Sequence, residues 1–279
     1  MKIDLPMSPR LSVSLTALLW CVIFALPARA ADSQTVQRFE RTVTKTVGYE
    51  YLMALPTGYA AGPEKRWPLL VFLHGAGERG SDIWMVAKHG PPKLLHPETP
   101  ATADEKPEDR ARREAATKAL AENFIVVSPQ CPVDANWNDD AVGALIDDIT
   151  TKLRVDSRRV YLAGLSMGGF GTWSLGVKFP QRFAAIVPIC GGGSIVDALL
   201  IAKDRKPALL RLGVWAFHGA LDPTVPVAQS EAMVAALKKV GATDVQLTIY
   251  PAAKHDSWTE TFNNPDLYAW LLKHKLPAQ

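Results

Sequence analysis

Six short apolar runs recur along the chain, at residues 68–73 (PLLVFL), 124–128 (FIVVS), 160–163 (VYLA), 184–189 (AAIVPI), 212–217 (LGVWAF) and 245–250 (VQLTIY). Most are continuous rather than alternating, the pattern of strands covered on both faces. The segments between them repeat with a helical period. Val142, Leu145, Ile146, Ile149 and Leu153 share one face; Met233, Ala236, Leu237 and Val240 share another, with Gly241 as a C-terminal stop. Asn264 followed by Pro265 opens a last helix whose inner face holds Leu267, Trp270 and Leu271. Strands alternating with helices predict an α/β architecture: a mostly parallel central sheet of about eight strands with helices on both faces.

Two stretches stand outside this rhythm. Residues 36–47 and 49–55 show β-branched alternation around Gly48 and predict an opening hairpin. Residues 97–120 are rich in charge and proline, including Asp104-Glu105-Lys106-Pro107-Glu108-Asp109-Arg110, and predict a solvated surface insertion with a short helix. The sharper alternative is a flap beside a ligand site. With no internal repeat and no second core, residues 31–279 read as one domain.

The first 30 residues read differently. Lys2 and Arg10 precede the apolar stretch 11–27, and Ala28-Arg29-Ala30 follows as a small-x-small cleavage site. This predicts a signal peptide over residues 1–30, removed near Ala30, and a periplasmic or extracellular protein with no membrane anchor after cleavage. Trp20 is too bulky to precede a lipidated Cys21.

The composition, 48% hydrophobic and 21% charged, is that of a packed globular protein. Loss of Lys2, Arg10, Arg29 and Asp4 with the leader takes the formal charge from +3 to +1, so no nucleic acid or anionic surface is expected as a partner. Cys131 and Cys190 would follow strands about three positions apart, roughly 14 Å, which is too far for a disulfide. They are expected as free, buried thiols. No H-E-x-x-H pair or Cys/His cluster suggests a metal. The residues say nothing of oligomeric state.

The chemistry concentrates at Gly164-Leu165-Ser166-Met167-Gly168-Gly169, between the apolar run 160–163 and the helix-like run 170–178. This is the strand–turn–helix setting of a G-x-S-x-G nucleophile elbow. A serine hydroxyl needs a base to take its proton, and the imidazole needs a carboxylate to fix its tautomer. His255, in the loop after the last run, is the expected base. Asp222, in the turn after 212–217, is the expected acid, and the chain order Ser166, Asp222, His255 suits an α/β-hydrolase fold. Asp256 is a weaker rival, because a residue adjacent to His255 cannot easily turn its carboxylate onto that ring. The glycine-rich segment His74 to Gly80 follows the first run. The N–H groups of Ala76 and Met167 are the expected oxyanion donors, with Gly77 next in line. His74 is expected to make a structural hydrogen bond, and Glu78 and Arg79 to pair with each other or with the loop. Gly77, Trp258 and the segments Cys131 to Trp137 and Gly191-Gly192-Gly193 are candidates to line a substrate pocket, since ligands collect at C-terminal strand ends.

The segments LLVFLHGAGERGSD, KHGPPKLL, SPQCP, YLAGLSMGGFGTW, PICGGG, WAFHGALDPTVP and KHDSWTETF resemble α/β-hydrolase esterases of the "predicted peptidase" and phospholipase/carboxylesterase-like group. These are relatives of polyhydroxybutyrate depolymerases, feruloyl esterases and dienelactone hydrolases. The likeness runs from about residue 37 to 273. It implies a single catalytic domain, the triad Ser166, Asp222 and His255, and cleavage of carboxylic esters, small or polymer-borne, through an acyl-enzyme without a cofactor. The charged insertion near 97–120 departs from the family's pattern by its length. Dienelactone hydrolases carry cysteine where this chain has Ser166. The alternatives are a serine peptidase using the same triad and a non-catalytic binding module on a hydrolase scaffold.

Overall fold

The computed structural model describes residues 36–96 and 105–278. They fall into two units, divided after Lys45. Residues 36–45 hold neither helix nor strand; within them Arg38 pairs with Glu40 at 2.6 Å.

The second unit is built on a seven-stranded sheet among the described residues. Its strands are β1 (Tyr51–Ala54), β2 (Trp67–Leu73), β3 (Ile125–Pro129), β4 (Val155–Leu165), β5 (Ala185–Ile189), β6 (Gly213–Gly219) and β7 (Val245–Tyr250). They lie in the order β1-β3-β2-β4-β5-β6-β7. Only β1 runs antiparallel, pairing Leu52 with Ser128; every other neighbouring pair is parallel.

The expected opening hairpin does not form. Residues 49–55 supply β1, which pairs with β3, while 36–47 are not a strand. Alternation along 36–47 has no sheet face to serve: Val43 is 81% exposed. Among the described residues the sheet has seven strands, where about eight were expected.

The helices cover both faces because successive residues of each strand point to opposite sides. Leu69, Val71 and Leu73 of β2 join one core with α3 (Asp139–Lys152), α4 (Met167–Lys178) and α7 (Ala228–Val240), through residues such as Ile146, Trp173 and Leu237. Leu70 and Phe72 join the other core with α1 (Gly90–Leu94), α2 (Pro107–Asn123), α8 (Trp258–Phe262) and α9 (Pro265–Lys273). Two short helices, α5 (Ile195–Leu199) and α6 (Lys206–Leu209), lie between β5 and β6. Helix ends follow the expected chemistry. Gly241 stops α7 at φ +104°, and the Asn264 side chain accepts the Asp266 N–H to cap α9.

The charged stretch 97–120 carries a helix, as expected, though a longer one. Residues 97–104 lie outside the described residues, as does the leader 1–30. The remainder belongs to α2, whose 17 residues bury Ala116 and Leu120 in the second core against α9. None of its residues lines the cavity beside Ser166. Cys131 and Cys190 are free and buried.

Candidate active site

β4 delivers Ser166 into a turn that only a narrow backbone allows. A Cβ on Gly164 would lie 2.3 Å from the carbonyl oxygen of Gly168, and one on Gly168 would lie 1.9 Å from that of Leu73. Ser166 itself takes φ +52°, ψ −116°, a strained conformation for a residue with a side chain. Its N–H donates to Ile189 O at 2.9 Å, so the elbow is tied to the end of β5. Its side chain does not cap α4, which leaves the first N–H groups of that helix facing the space beside the hydroxyl.

Asp222 and His255 come from loops after β6 and β7, which are stitched together. Ala220 N–H donates to Tyr250 O at 2.9 Å, and Leu221 N–H to Ala253 O at 3.0 Å. The Asp222 carboxylate is fully buried. Its Oδ1 accepts the N–H groups of Thr224 (2.8 Å) and Val225 (2.9 Å). Its Oδ2 lies 2.7 Å from His255 Nδ1. Burial pushes this carboxyl up, but the bonds from His255, Val225 and Thr224 outweigh it and hold the group below its ordinary value. A carboxylate can only accept, so Nδ1 carries the proton and Nε2 is left as an acceptor. Nε2 lies 3.0 Å from Ser166 Oγ. The rival Asp256 instead caps α8, accepting from the N–H and hydroxyl of Thr259.

The loop after β2 stands opposite. His74 Nε2 accepts the N–H of Cys131 at 2.9 Å, so its Nδ1–H donates to Gly75 O at 2.6 Å. Burial pushes this imidazole down to about 4 and keeps it neutral. His74 is thus structural, as expected. Ala76 opens a single 3-10 turn over Ala76–Glu78, as Met167 opens α4. A first-turn N–H has no partner inside its own helix. Glu78 and Arg79 do not pair with each other. Glu78 Oε2 accepts the N–H of Gly75 at 3.0 Å, and Arg79 donates to Ala76 O and Ala135 O.

Ser166 opens into a cavity of about 690 Å³, with Trp137, Met167 and Phe170 as its apolar lining and Arg79, Asn136 and Lys178 among its polar groups. Trp137 is fixed by donating to His74 O at 3.1 Å. Trp258, Gly77 and Gly191-Gly192-Gly193 do not line this cavity. Trp258 instead sets its ring edge-on to His255, with centroids 5.4 Å apart, and donates to His89 Nδ1 at 3.2 Å. Gly191 packs against α4, where a Cβ would lie 2.6 Å from the carbonyl carbon of Gly169.

Two histidines that no sequence pattern singled out join the site. His218 is wholly buried, with Nε2 3.3 Å from Asp222 Oδ2 and 2.9 Å from Val225 O. His89 stands between Trp258 and Glu78. The four-residue spacing from His218 to Asp222 was visible, but its meaning depends on how the turn after β6 folds back. Among the described residues no cluster of histidine, cysteine or carboxylate groups could hold a metal ion.

A doubly covered, mostly parallel sheet with a serine, a histidine and an aspartate meeting at its C-terminal edge defines an α/β-hydrolase. Comparison with known proteins narrows this. The chain belongs to the phospholipase/carboxylesterase family, whose model matches residues 60–268. A bifunctional acetylxylan esterase/xylanase of Neocallimastix patriciarum is 29% identical over 126 residues, 41% of this chain and 17% of the relative. A poly(3-hydroxyoctanoate) depolymerase of Pseudomonas fluorescens is 25% identical over 130 residues, 38% of this chain and 45% of the relative. The chain thus matches less than half the length of either. The crystal structure of a thermostable esterase superposes with TM-score 0.62 at 29% identity, covering 81% of this chain and 59% of that one.

Proposed function

We propose that this protein is a serine carboxylesterase acting through an acyl-enzyme, with Ser166 as nucleophile, His255 as general base and acid, and Asp222 as the group that orients and stabilises the imidazole. One observation carries the reading: His255 bridges Ser166 Oγ at 3.0 Å and Asp222 Oδ2 at 2.7 Å. Ser166 Oγ attacks the ester carbonyl as its proton passes to His255 Nε2. The N–H groups of Ala76 and Met167 hold the oxyanion. The tetrahedral intermediate collapses, the C–O bond to the alcohol breaks, and the alcohol leaves with the proton from Nε2. Water then attacks the acyl-enzyme, again giving its proton to His255, and the acid departs as Ser166 Oγ recovers a proton.

The cavity suits an ester that carries hydroxyl groups, because Arg79, Asn136 and Lys178 supply hydrogen-bonding groups beside the aromatic face of Trp137. The acetylxylan esterase among the relatives agrees with this. Acetylated oligosaccharides are expected to be better substrates than long-chain p-nitrophenyl esters, and esters better than peptide anilides. Ser166→Ala is expected to abolish both ester hydrolysis and labelling by a fluorophosphonate. Labelling retained at another residue would overturn the assignment.

Export is part of the proposal: residues 1–30 act as a cleaved signal peptide. Intact mass of the protein recovered outside the cytoplasm tests this, the expected N-terminus being Ala31.

A further inference from the structure

Glu78 is a buried carboxylate, 6% exposed, that the reaction described above does not use. Its Oε2 accepts the N–H of Gly75 at 3.0 Å, while its own N–H reaches back to Gly75 O at 3.4 Å. Gly75 lies against the nucleophile: a Cβ built there would stand 3.6 Å from Ser166 Cβ and 2.8 Å from Leu165 Cδ1. The carbonyl of Gly75 and the N–H of Ala76 belong to one planar trans peptide, so they point in opposite directions. Holding Gly75 therefore aims the Ala76 N–H. His74 Nδ1–H holds the carbonyl of Gly75, and the Glu78 carboxylate holds the N–H of Gly75, in the preceding peptide, so the backbone is fixed on both sides of the Gly75 Cα.

The same carboxylate also faces His89. Trp258 Nε1–H donates to His89 Nδ1, so the proton of a neutral His89 sits on Nε2, which lies 3.7 Å from Glu78 Oε1. Trp258 in turn sets its ring edge-on to His255. Gln130 Nε2 closes the far side by donating to Glu78 O and Asp82 O, each at 2.8 Å. Burying a carboxylate is costly. A carboxylate holds an N–H more firmly than a neutral group would.

We propose that Glu78 is the positioning residue of the oxyanion loop: its carboxylate anchors the N–H of Gly75, and by fixing the backbone at Gly75 it aims the N–H of Ala76 in the next peptide. The inference rests on the assignment of the Ala76 N–H as an oxyanion donor. A residue that aims a transition-state donor should act on kcat and leave KM nearly unchanged.

The test compares Glu78→Gln, which keeps an acceptor oxygen, with Glu78→Met, which has similar length and no acceptor. For Glu78→Met, kcat is expected to fall about tenfold or more with KM within about twofold, part of the 10²–10³ lost when a whole donor is removed. Glu78→Gln is expected to recover kcat to within about threefold of the parent. The inhibition constant of a boronic acid, whose adduct on Ser166 is tetrahedral, should rise by the same factor as kcat/KM falls. Unchanged kcat in Glu78→Met, a loss carried by KM, or a loss with unchanged boronate affinity each overturns the proposal. If near-ultraviolet circular dichroism shows Glu78→Met unfolded, Glu78→Asp takes its place. Retracting the carboxylate by one methylene should lower kcat and boronate affinity together, and parental values for both overturn the proposal. Ser166→Ala run alongside separates the two readings. Turnover surviving in it removes the triad itself, whereas an inactive Ser166→Ala with an unaltered Glu78→Met removes only the role of Glu78.

Discussion

Oδ2 of Asp222 lies 2.7 Å from Nδ1 of His255, in a carboxylate with no exposed surface. The contact decides which imidazole nitrogen faces the serine. In Asp222→Asn the amide can donate to Nδ1, which moves the ring proton to Nε2 and removes the base. The expected loss in kcat is about 10⁴, with KM little altered, measured on a soluble p-nitrophenyl ester. A variant within tenfold of the parent would mean that Asp222 does not set the tautomer.

His74 supplies a pH dependence of stability. Burial holds its folded value at about 4, against about 6.5 in an unfolded chain. As pH falls below about 6.5 the unfolded chain takes up the proton and the folded protein does not, so stability is lost between about 6.5 and 4. The loss is on the order of 3 kcal/mol. His74→Gln removes this titration. Its urea midpoint should drop less than the parent's between pH 7 and pH 4.5, and equal drops would exclude His74 as the source.

Leu120 tests whether α2 is scaffold or lid. The side chain is wholly buried in the core shared with α9. Leu120→Ala should cost about 2–5 kcal/mol in stability through transfer and cavity terms. Well below the melting temperature, kcat and KM on esters should match the parent. A selective change in KM would show that this helix takes part in substrate access.

The two thiols give a simpler check on packing. Burial pushes Cys131 up to about 11 and Cys190 up to about 12. Neither should react with a disulfide reagent at pH 8 in the native protein, and both should react in denaturant. Peptide mapping separates them. Rapid native labelling of Cys190 would contradict its position behind the elbow.

Where the structure departs from the pattern of the chain, the cause is physical. The segment 36–47 alternates as a strand does, but alternation says only that a strand could have two unlike faces, and β1 finds its partner in β3. The length of α2 is not legible in the charged stretch, because only Ala116 and Leu120 turn inward, too few to register as a periodic face. Trp258, three residues after His255, has the position of a pocket wall in sequence alone. It packs on the imidazole and donates to His89, a residue 169 positions away.

What the amino-acid order determined by itself was local: the six apolar runs that became β2 to β7, the helices between them, and the glycine-flanked serine whose turn tolerates no larger neighbour. These follow from backbone sterics and side-chain periodicity over a few residues, so they can be read without the rest of the molecule. The meeting of Ser166, Asp222 and His255, the clamp of His74 and Glu78 on Gly75, and the approach of His218 to Asp222 were decided only by the tertiary structure. Distances of a few ångströms between separate loops depend on strand order, on the hydrogen bonds that stitch the β6 and β7 loops together, and on which helix face the two cores bury.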